Sequence, residues 1–289
     1  NCIIGILTGI VYYFMAKEIA GIKSARITAF LIVFFPSLVL WSITSLKDTL
    51  FIFLTGLILW SFMKLLKTSK AIYLILLVFT LFFQFSLRSM FILPTVLIMG
   101  LSYALIKIKI RKIHIIFLIF ILIMTSPLLK IGFSAFKRQV INYHLGVVST
   151  GGFVYRIYDD WLYNPIVDAK QISNFEFFKG LLRGWFHCFL EPFPWKISSK
   201  LSLVAFPQMI IWYFLLPFSI LGVLIQLKHN WHKSLLLLMY FLVIGSVLSL
   251  SGGNVGTDFR IRDTLTPLIL LFSAIGISKI FIGQCDITP

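Results

Sequence analysis

FPSLVLWSITSLKDTL, residues 35–50, decides how this chain is read. Two long apolar runs, 27–45 and 49–63, meet there with only a lysine and an aspartate breaking the pattern. On insertion scales an ammonium or a carboxylate at the bilayer centre costs about 2.5–3.5 kcal/mol, so both belong at the water interface. Lys47-Asp48 is therefore expected to form the tight turn of a transmembrane hairpin, with an acid held against the membrane surface.

The rest of the 289 residues follows suit: 59% are hydrophobic and only 12% charged, whereas soluble domains carry about 25% charge. The mean hydropathy is +0.98. An all-α polytopic membrane protein is expected, with nine spans at about 2–16, 27–45, 49–66, 71–87, 89–106, 114–130, 208–227, 234–250 and 264–282. They group as 1–130 (six spans), 131–206 (a long outer loop with interfacial helices) and 207–289 (three spans). The chain opens at Asn1 inside an apolar run, without a basic n-region or cleavage site. It reads as a fragment lacking at least one upstream helix and loop. Cys2, Cys188 and Cys285 are too far apart to suggest a metal or disulfide framework.

Lysine and arginine set the orientation. Lys17, Lys23 and Arg26, then Lys64, Lys67 and Lys70, then Lys107, Lys109, Arg111 and Lys112, and finally Lys228 and Lys233 fall in alternate short loops, which are cytoplasmic by the positive-inside rule. Asp48, Asp159, Asp160, Asp168, Glu176, Glu191, Asp258 and Asp263 fall on the other side; Glu18 and Asp286 do not. The net charge of +16 is then a topology signal plus attraction to anionic lipid. Basic residues spread over loops rather than one soluble face give no footprint for nucleic acid. Within the outer loop, 175–190 repeats aromatic and aliphatic residues at helical spacing around Lys179 and Arg183, as a helix lying in the interface would. Glu191-Pro192 should end it.

No expected span has an ionisable residue near its middle, which argues against a proton- or ion-coupled transporter. Reactive groups gather at the extracytoplasmic face, where a lipid-linked sugar would present its phosphate. Arginine suits phosphate through its planar fork, and GGNVGTDFRIRDT, 252–264, supplies Arg260 and Arg262 in a glycine-rich turn before the last span. The helix expected near Thr264 would add its positive N-terminus; alternatively, these arginines only meet lipid headgroups. Asp48 is the candidate acid, or else pairs with Lys47 and caps the next span. Asp159 and Asp160 could bind an acceptor sugar or a metal, or form a solvated turn. Glu191 could face the site or simply end its helix. Arg88, at a tight outer turn, could contact phosphate or anchor its hairpin. No ligand cluster demands a metal, although a divalent ion is compatible with the chemistry.

FPSLVLWSITSLKD, the turn LRSMFILP around Arg88, PFPW at 192–195, and GNVGTDFRIRDTLTPLILLFSAIGI resemble integral-membrane glycosyltransferases of the GT-C superfamily, closest to the family 39 or protein-mannosyltransferase type. The likeness covers roughly 1–100 and 185–282. It implies a bacterial plasma-membrane enzyme that moves a sugar from a polyprenyl-phosphate donor to a glycan, lipid or protein acceptor at the extracytoplasmic face. It further implies a main catalytic acid in an outer loop upstream of residue 1, with Asp48 as second acid. Arg260 and Arg262, with Arg88 or Lys47, would bind donor phosphate. Lys47 beside the acid and Asp263 after Arg262 depart from that pattern. A polymerase or ligase of lipid-linked glycans is the rival enzyme class, using loop arginines such as Arg156 and Arg183; a flippase for lipid-linked sugars is the rival without chemistry.

Overall fold

The computed structural model describes residues 1–44, 47–107, 126–149, 154–163, 172–193, 195 and 200–282. Among them the secondary structure is helical, apart from one isolated bridge between Val154 and Asn254. Among the described residues five helices are long and apolar enough to cross a membrane, or six if Val255–Arg262 and Thr266–Phe281 count as one bent span. The chain is thus an all-α membrane protein. The expected span 114–130 lies outside the described residues up to residue 125.

Helix α1 (Cys2–Phe34) contains a break at Gly21 (φ 86°, ψ 179°), a conformation that glycine alone enters without steric cost. The chain reverses there. Gly9 lies against Val33 and Gly5 against Ser42, and Asn1 Nδ2 donates to the Thr44 carbonyl (2.7 Å). The stretches expected as spans 2–16 and 27–45 are therefore antiparallel. Residues 17–26, expected as a loop, are helical except at Gly21, because good helix formers surround it. Pro36 leaves Phe35 extended (φ −69°, ψ 124°) and opens α2 (Pro36–Ile43) at its first position.

Helix α3 (Asp48–Thr68) ends at Ser69 in the left-handed region (φ 53°), and α4 (Ala71–Leu87) follows at once. Arg88 leaves the helical path (φ −153°, ψ 84°) into a 3-10 turn, Ser89–Phe91, and α5 (Ile92–Lys107). Next come α6 (Ser126–Ser149), α7 (Asn174–Leu190), α8 (Lys200–His229), α9 (Trp231–Ser251), α10 (Val255–Arg262) and α11 (Thr266–Ile282). Two expectations change here. The segment after residue 131 continues as α6. Helix α8 begins before Pro207, which together with Pro217 it carries internally. A third concerns 252–264, whose second half is the helix α10 rather than a loop. Asn254 Oδ1 accepts from the amides of Gly256 (3.0 Å) and Thr257 (3.2 Å), so the asparagine starts that helix in spite of the glycines.

The chain divides into two compact units: Asn1–Ser102, Pro192–Ile244 and Arg262–Pro289 form the first; Tyr103–Glu191 and Gly245–Ile261 the second. In the first, α8 and α11 cross backbone to backbone: a Cβ at Gly222 would collide with the Phe272 carbonyl, and one at Gly276 with the Phe218 carbonyl. Its interior is not devoid of polar groups. Gln84 Nε2 donates to Thr55 Oγ1 (3.0 Å), and the buried Tyr240 hydroxyl faces both side chains and Thr95. These are hydroxyls and amides, which charge-based scanning of the spans overlooks.

The second unit has its own core, including Ile141 of α6, Ile157, Tyr158, Phe177 of α7 and Leu250 of α9. Lys137 Nζ ties α6 to the start of α7 through the Ile172 carbonyl (2.7 Å) and Asn174 Oδ1 (3.2 Å). A capping box begins α7: the Glu176 amide donates to Ser173 Oγ (3.2 Å), and the Ser173 amide to Glu176 Oε2 (2.8 Å). Glu191, before Pro192, ends it as expected.

Candidate functional site

In the first unit, ions gather at the two ends of α3. At its C-terminal end Glu18 accepts from Lys64 (2.9 Å) and Lys67 (3.1 Å). At its N-terminal end the Asp48 carboxylate is bound by the Arg88 guanidinium, and the two side chains are only 4% and 14% exposed. At a 1.5 Å rise per residue the two clusters lie about 24–29 Å apart, close to the hydrocarbon thickness of a bilayer.

The hairpin brings three of the sequence-predicted residues together. Lys47 Nζ donates to the Leu87 carbonyl (3.3 Å), one residue from Arg88. The Arg88 guanidinium also lies over the Phe51 ring (4.9 Å to its centroid), one turn along α3 from Asp48. Asp48 occupies the first turn of α3, where the helix dipole favours a carboxylate. An acid, an arginine and a lysine thus share one corner. Beside Thr49 an apolar groove of ≈ 220 Å³, lined by Ile6, Ile32, Leu38, Val39, Ile43 and Ile52 among others, runs between α1, α2 and α3.

A second group sits where α11 begins. Trp41 of α2 donates through Nε1 to Asp263 Oδ2 (2.6 Å), and Thr266 Oγ1 donates to Asp263 Oδ1 (2.8 Å). The chain's own carboxylate therefore occupies the approach to the helix N-terminus that was expected to await a phosphate. Arg262 is fully buried; its guanidinium lies 4.6 Å from the Trp212 ring centroid and donates weakly to Met209 Sδ (3.5 Å). Expecting two exposed arginines in a loop misses this, because burial at 262 depends on the indole of Trp212, fifty residues earlier in the chain.

The other predicted residues belong to the second unit. Arg260, on α10, is partly buried. Asp159 accepts from Arg183 (2.7 Å) and Lys179 (3.1 Å), bonds that hold its carboxyl below the usual range. Asp160 pairs with Arg156 (2.9 Å). The loop arginines 156 and 183 are thereby engaged by neighbouring aspartates. Glu191 is buried and bonds His187 Nδ1 (2.9 Å) one turn back on α7. The Tyr155 ring stacks on His187 (4.4 Å between centroids, 11°). Burial, reinforced by the Asp258 carboxylate, pushes the Tyr155 phenol well above its ordinary range.

His144 is a functional-looking residue that the sequence did not single out. Its Nδ1 meets the Gly252 carbonyl and its Nε2 the Tyr163 hydroxyl (2.7 Å). Since a carbonyl only accepts, the proton belongs on Nδ1 and Tyr163 donates to Nε2. The Tyr163 oxygen also accepts from the amides of Ile157 (3.1 Å) and Tyr158 (3.2 Å). Burial lowers the His144 pKa to about 4. Its i+19 spacing to Tyr163 has no local signature, so only the fold reveals the pair.

Among the described residues no group of three or more His, Cys, Asp or Glu side chains could hold a metal ion. No family model, curated protein or solved structure matches the chain.

Proposed function

We propose that this chain is the membrane core of a glycosyltransferase that moves a sugar from a polyprenyl-phosphate donor to an acceptor hydroxyl at the extracytoplasmic face. The observation that carries this reading is the corner formed by Asp48, Arg88 and Lys47 at one end of α3, with an apolar groove lined by the adjacent Thr49 beside it. A lipid-borne donor requires both features: cations for phosphate at the interface and an apolar path for the tail.

In the proposed step, the acceptor oxygen forms a bond to the anomeric carbon as the bond from that carbon to the phosphate oxygen breaks. The acceptor's proton passes to a carboxylate base. The electron pair leaves with the polyprenyl phosphate, whose charge Arg88 and Lys47 stabilise. Asp48 holds the Arg88 fork in place for this. Arg262, under Trp212, stiffens the start of α11 next to Asp263.

The test is transfer of radiolabelled sugar from a panel of polyprenyl-phosphate hexoses, using membranes that contain the protein. Arg88→Ala should lower transfer per molecule of membrane-embedded protein about 10²–10³-fold, the usual effect of losing one charge-stabilising donor. Glu18→Gln, at the opposite end of α3, should leave transfer within about twofold. Transfer that is insensitive to Arg88→Ala, or absent with every donor, defeats the proposal.

A further inference from the structure

Hydroxyls and an amide collect halfway along α3, in a stretch that carries no charged residue. Thr55 stands seven residues from Asp48 and nine from Lys64, about 10 Å and about 14 Å along the helix axis. Gln84 of α4, Thr95 of α5 and Tyr240 of α9 meet there. Tyr12 of α1 reaches the same level, because a Cβ at Gly56 would come 2.8 Å from the Tyr12 ring carbon next to the one that bears the hydroxyl. Tyr12, Thr55, Gln84, Thr95 and Tyr240 all belong to the first unit, and none is more than 1% exposed.

Their hydrogen bonds do not close among themselves. Thr95 Oγ1 donates to the Phe91 carbonyl (2.7 Å), and Gln84 Nε2 to Thr55 Oγ1 (3.0 Å). Among the described residues, Gln84 Oε1 and Tyr12 Oη are buried with no hydrogen-bond partner. Turning the Gln84 amide over would only exchange which of its two ends is left over. The Tyr12 and Tyr240 phenols lie within electrostatic reach of each other, yet Tyr12 makes no direct bond. Polar groups at such a separation are served by a shared neighbour.

The chemistry of these groups selects that neighbour. All of them are neutral, so an ion of either sign would sit uncompensated in a membrane interior. A phenol can donate or accept and an amide carbonyl only accepts, so the neighbour must do both. Enclosure this complete suits a small molecule. Buried water typically makes about three hydrogen bonds to polar groups that are otherwise unpaired.

We infer that this cluster is a binding site for an internal water molecule, which accepts from Tyr12 Oη and donates to Gln84 Oε1 and Tyr240 Oη. The water fastens α1 and α9 to the α3–α4 pair, halfway between the two ionic ends of α3. The site needs neither a sugar donor nor an acceptor, so it stands or falls separately from the glycosyltransferase proposal.

The unmodified chain in phosphatidylcholine nanodiscs is exposed to millisecond X-ray pulses, which make hydroxyl radicals from protein-bound water as well as from bulk. Peroxide photolysis, which makes them in bulk alone, is the second arm. Mass spectrometry reads oxidation residue by residue, corrected for intrinsic reactivity. Under X-rays Tyr12 and Tyr240 should oxidise at least tenfold faster than Phe272, which is 2% exposed at the close crossing of α8 and α11. Under peroxide photolysis all three should stay unlabelled. Tyrosine rates no higher than that of Phe272 under X-rays overturn the inference. Labelling of the two tyrosines by bulk radicals overturns it as well, since solvent would then reach the cluster. Tyr12→Phe keeps the ring on Gly56 and removes one partner of the water, so it should slow Tyr240 oxidation at least threefold; an unchanged rate overturns the bridge.

Discussion

Arg88→Ala isolates the interaction on which the candidate site depends. It strands the Asp48 carboxylate in a position only 3% exposed. Removing one partner of a buried ion pair typically costs about 3–5 kcal/mol, most of it the penalty of leaving the other charge uncompensated. Loss of the contact over Phe51 adds about 0.5–1 kcal/mol. Lys47, already bonded to the neighbouring Leu87 carbonyl, can swing toward the orphaned acid and offset part of this. A net loss of about 3 kcal/mol is expected.

Asp48→Asn should cost less, about 1–3 kcal/mol, because the amide oxygen still accepts from Arg88. Combining the two removes the stranded charge as well, so the double variant should be more stable than the sum predicts by about 1–3 kcal/mol. Unfolding in mixed detergent micelles, followed by tryptophan fluorescence, measures all three. Because the pair is buried, the coupling should change little between low and high salt. Additivity within about 0.5 kcal/mol would mean that the two groups do not support each other, and the Asp48–Arg88 corner would lose its status as a unit.

Two other outcomes are expected. The folded state keeps His144 neutral down to about pH 4, whereas the unfolded chain protonates it near pH 6.5; stability should therefore fall by up to about 3 kcal/mol as pH drops through that window. His144→Gln should flatten the profile, and thermal melting between pH 7 and 4 checks it, while the Asp159 contribution is lost only below its unfolded carboxylate range. Gly276→Leu should destabilise by about 1–3 kcal/mol or more through overpacking, since its side chain meets the Phe218 backbone; a melting temperature unchanged in detergent would contradict that close crossing.

Hydropathy made the helices legible because each apolar run must satisfy its backbone internally when water is absent. Lys47-Asp48 and Arg88 marked the hairpin ends for the same reason, and the Glu191-Pro192 stop on α7 followed from proline sterics. Elsewhere local composition pointed the wrong way. Glycines at 252, 253 and 256 suggested a loop, yet Asn254 starts α10 there. The Trp41–Asp263 bond joins residues 222 positions apart, and no periodicity encodes such a partner. Gln84 and Thr55 were overlooked because neither is charged, although their bond lies on the same pair of helices as Asp48 and Arg88.

That last arrangement accounts for how a carboxylate and a guanidinium can stay fixed at a membrane boundary. Helices α3 and α4 are linked at the N-terminal end of α3 by Asp48–Arg88 and by Lys47 to the Leu87 carbonyl, and two turns further along α3 by Gln84 to Thr55. At its C-terminal end α3 is linked to α1 by Lys64 and Lys67 to Glu18. Sliding α3 by one turn, about 5.4 Å, would drag one ionic cluster into hydrocarbon and break links at both ends. The interior hydrogen bond resists slippage even where charge is absent, because its groups have no bulk water to exchange with. The ions at both ends of α3 thus oppose its sliding, and the Asp48–Arg88 pair by itself holds its own end of the helix at one depth. Lengthening α3 by one residue between Thr55 and Lys64 would turn Lys64 and Lys67 by about 100° around the helix and part them from Glu18. The Asp48 corner, still tied by Arg88, should keep its place.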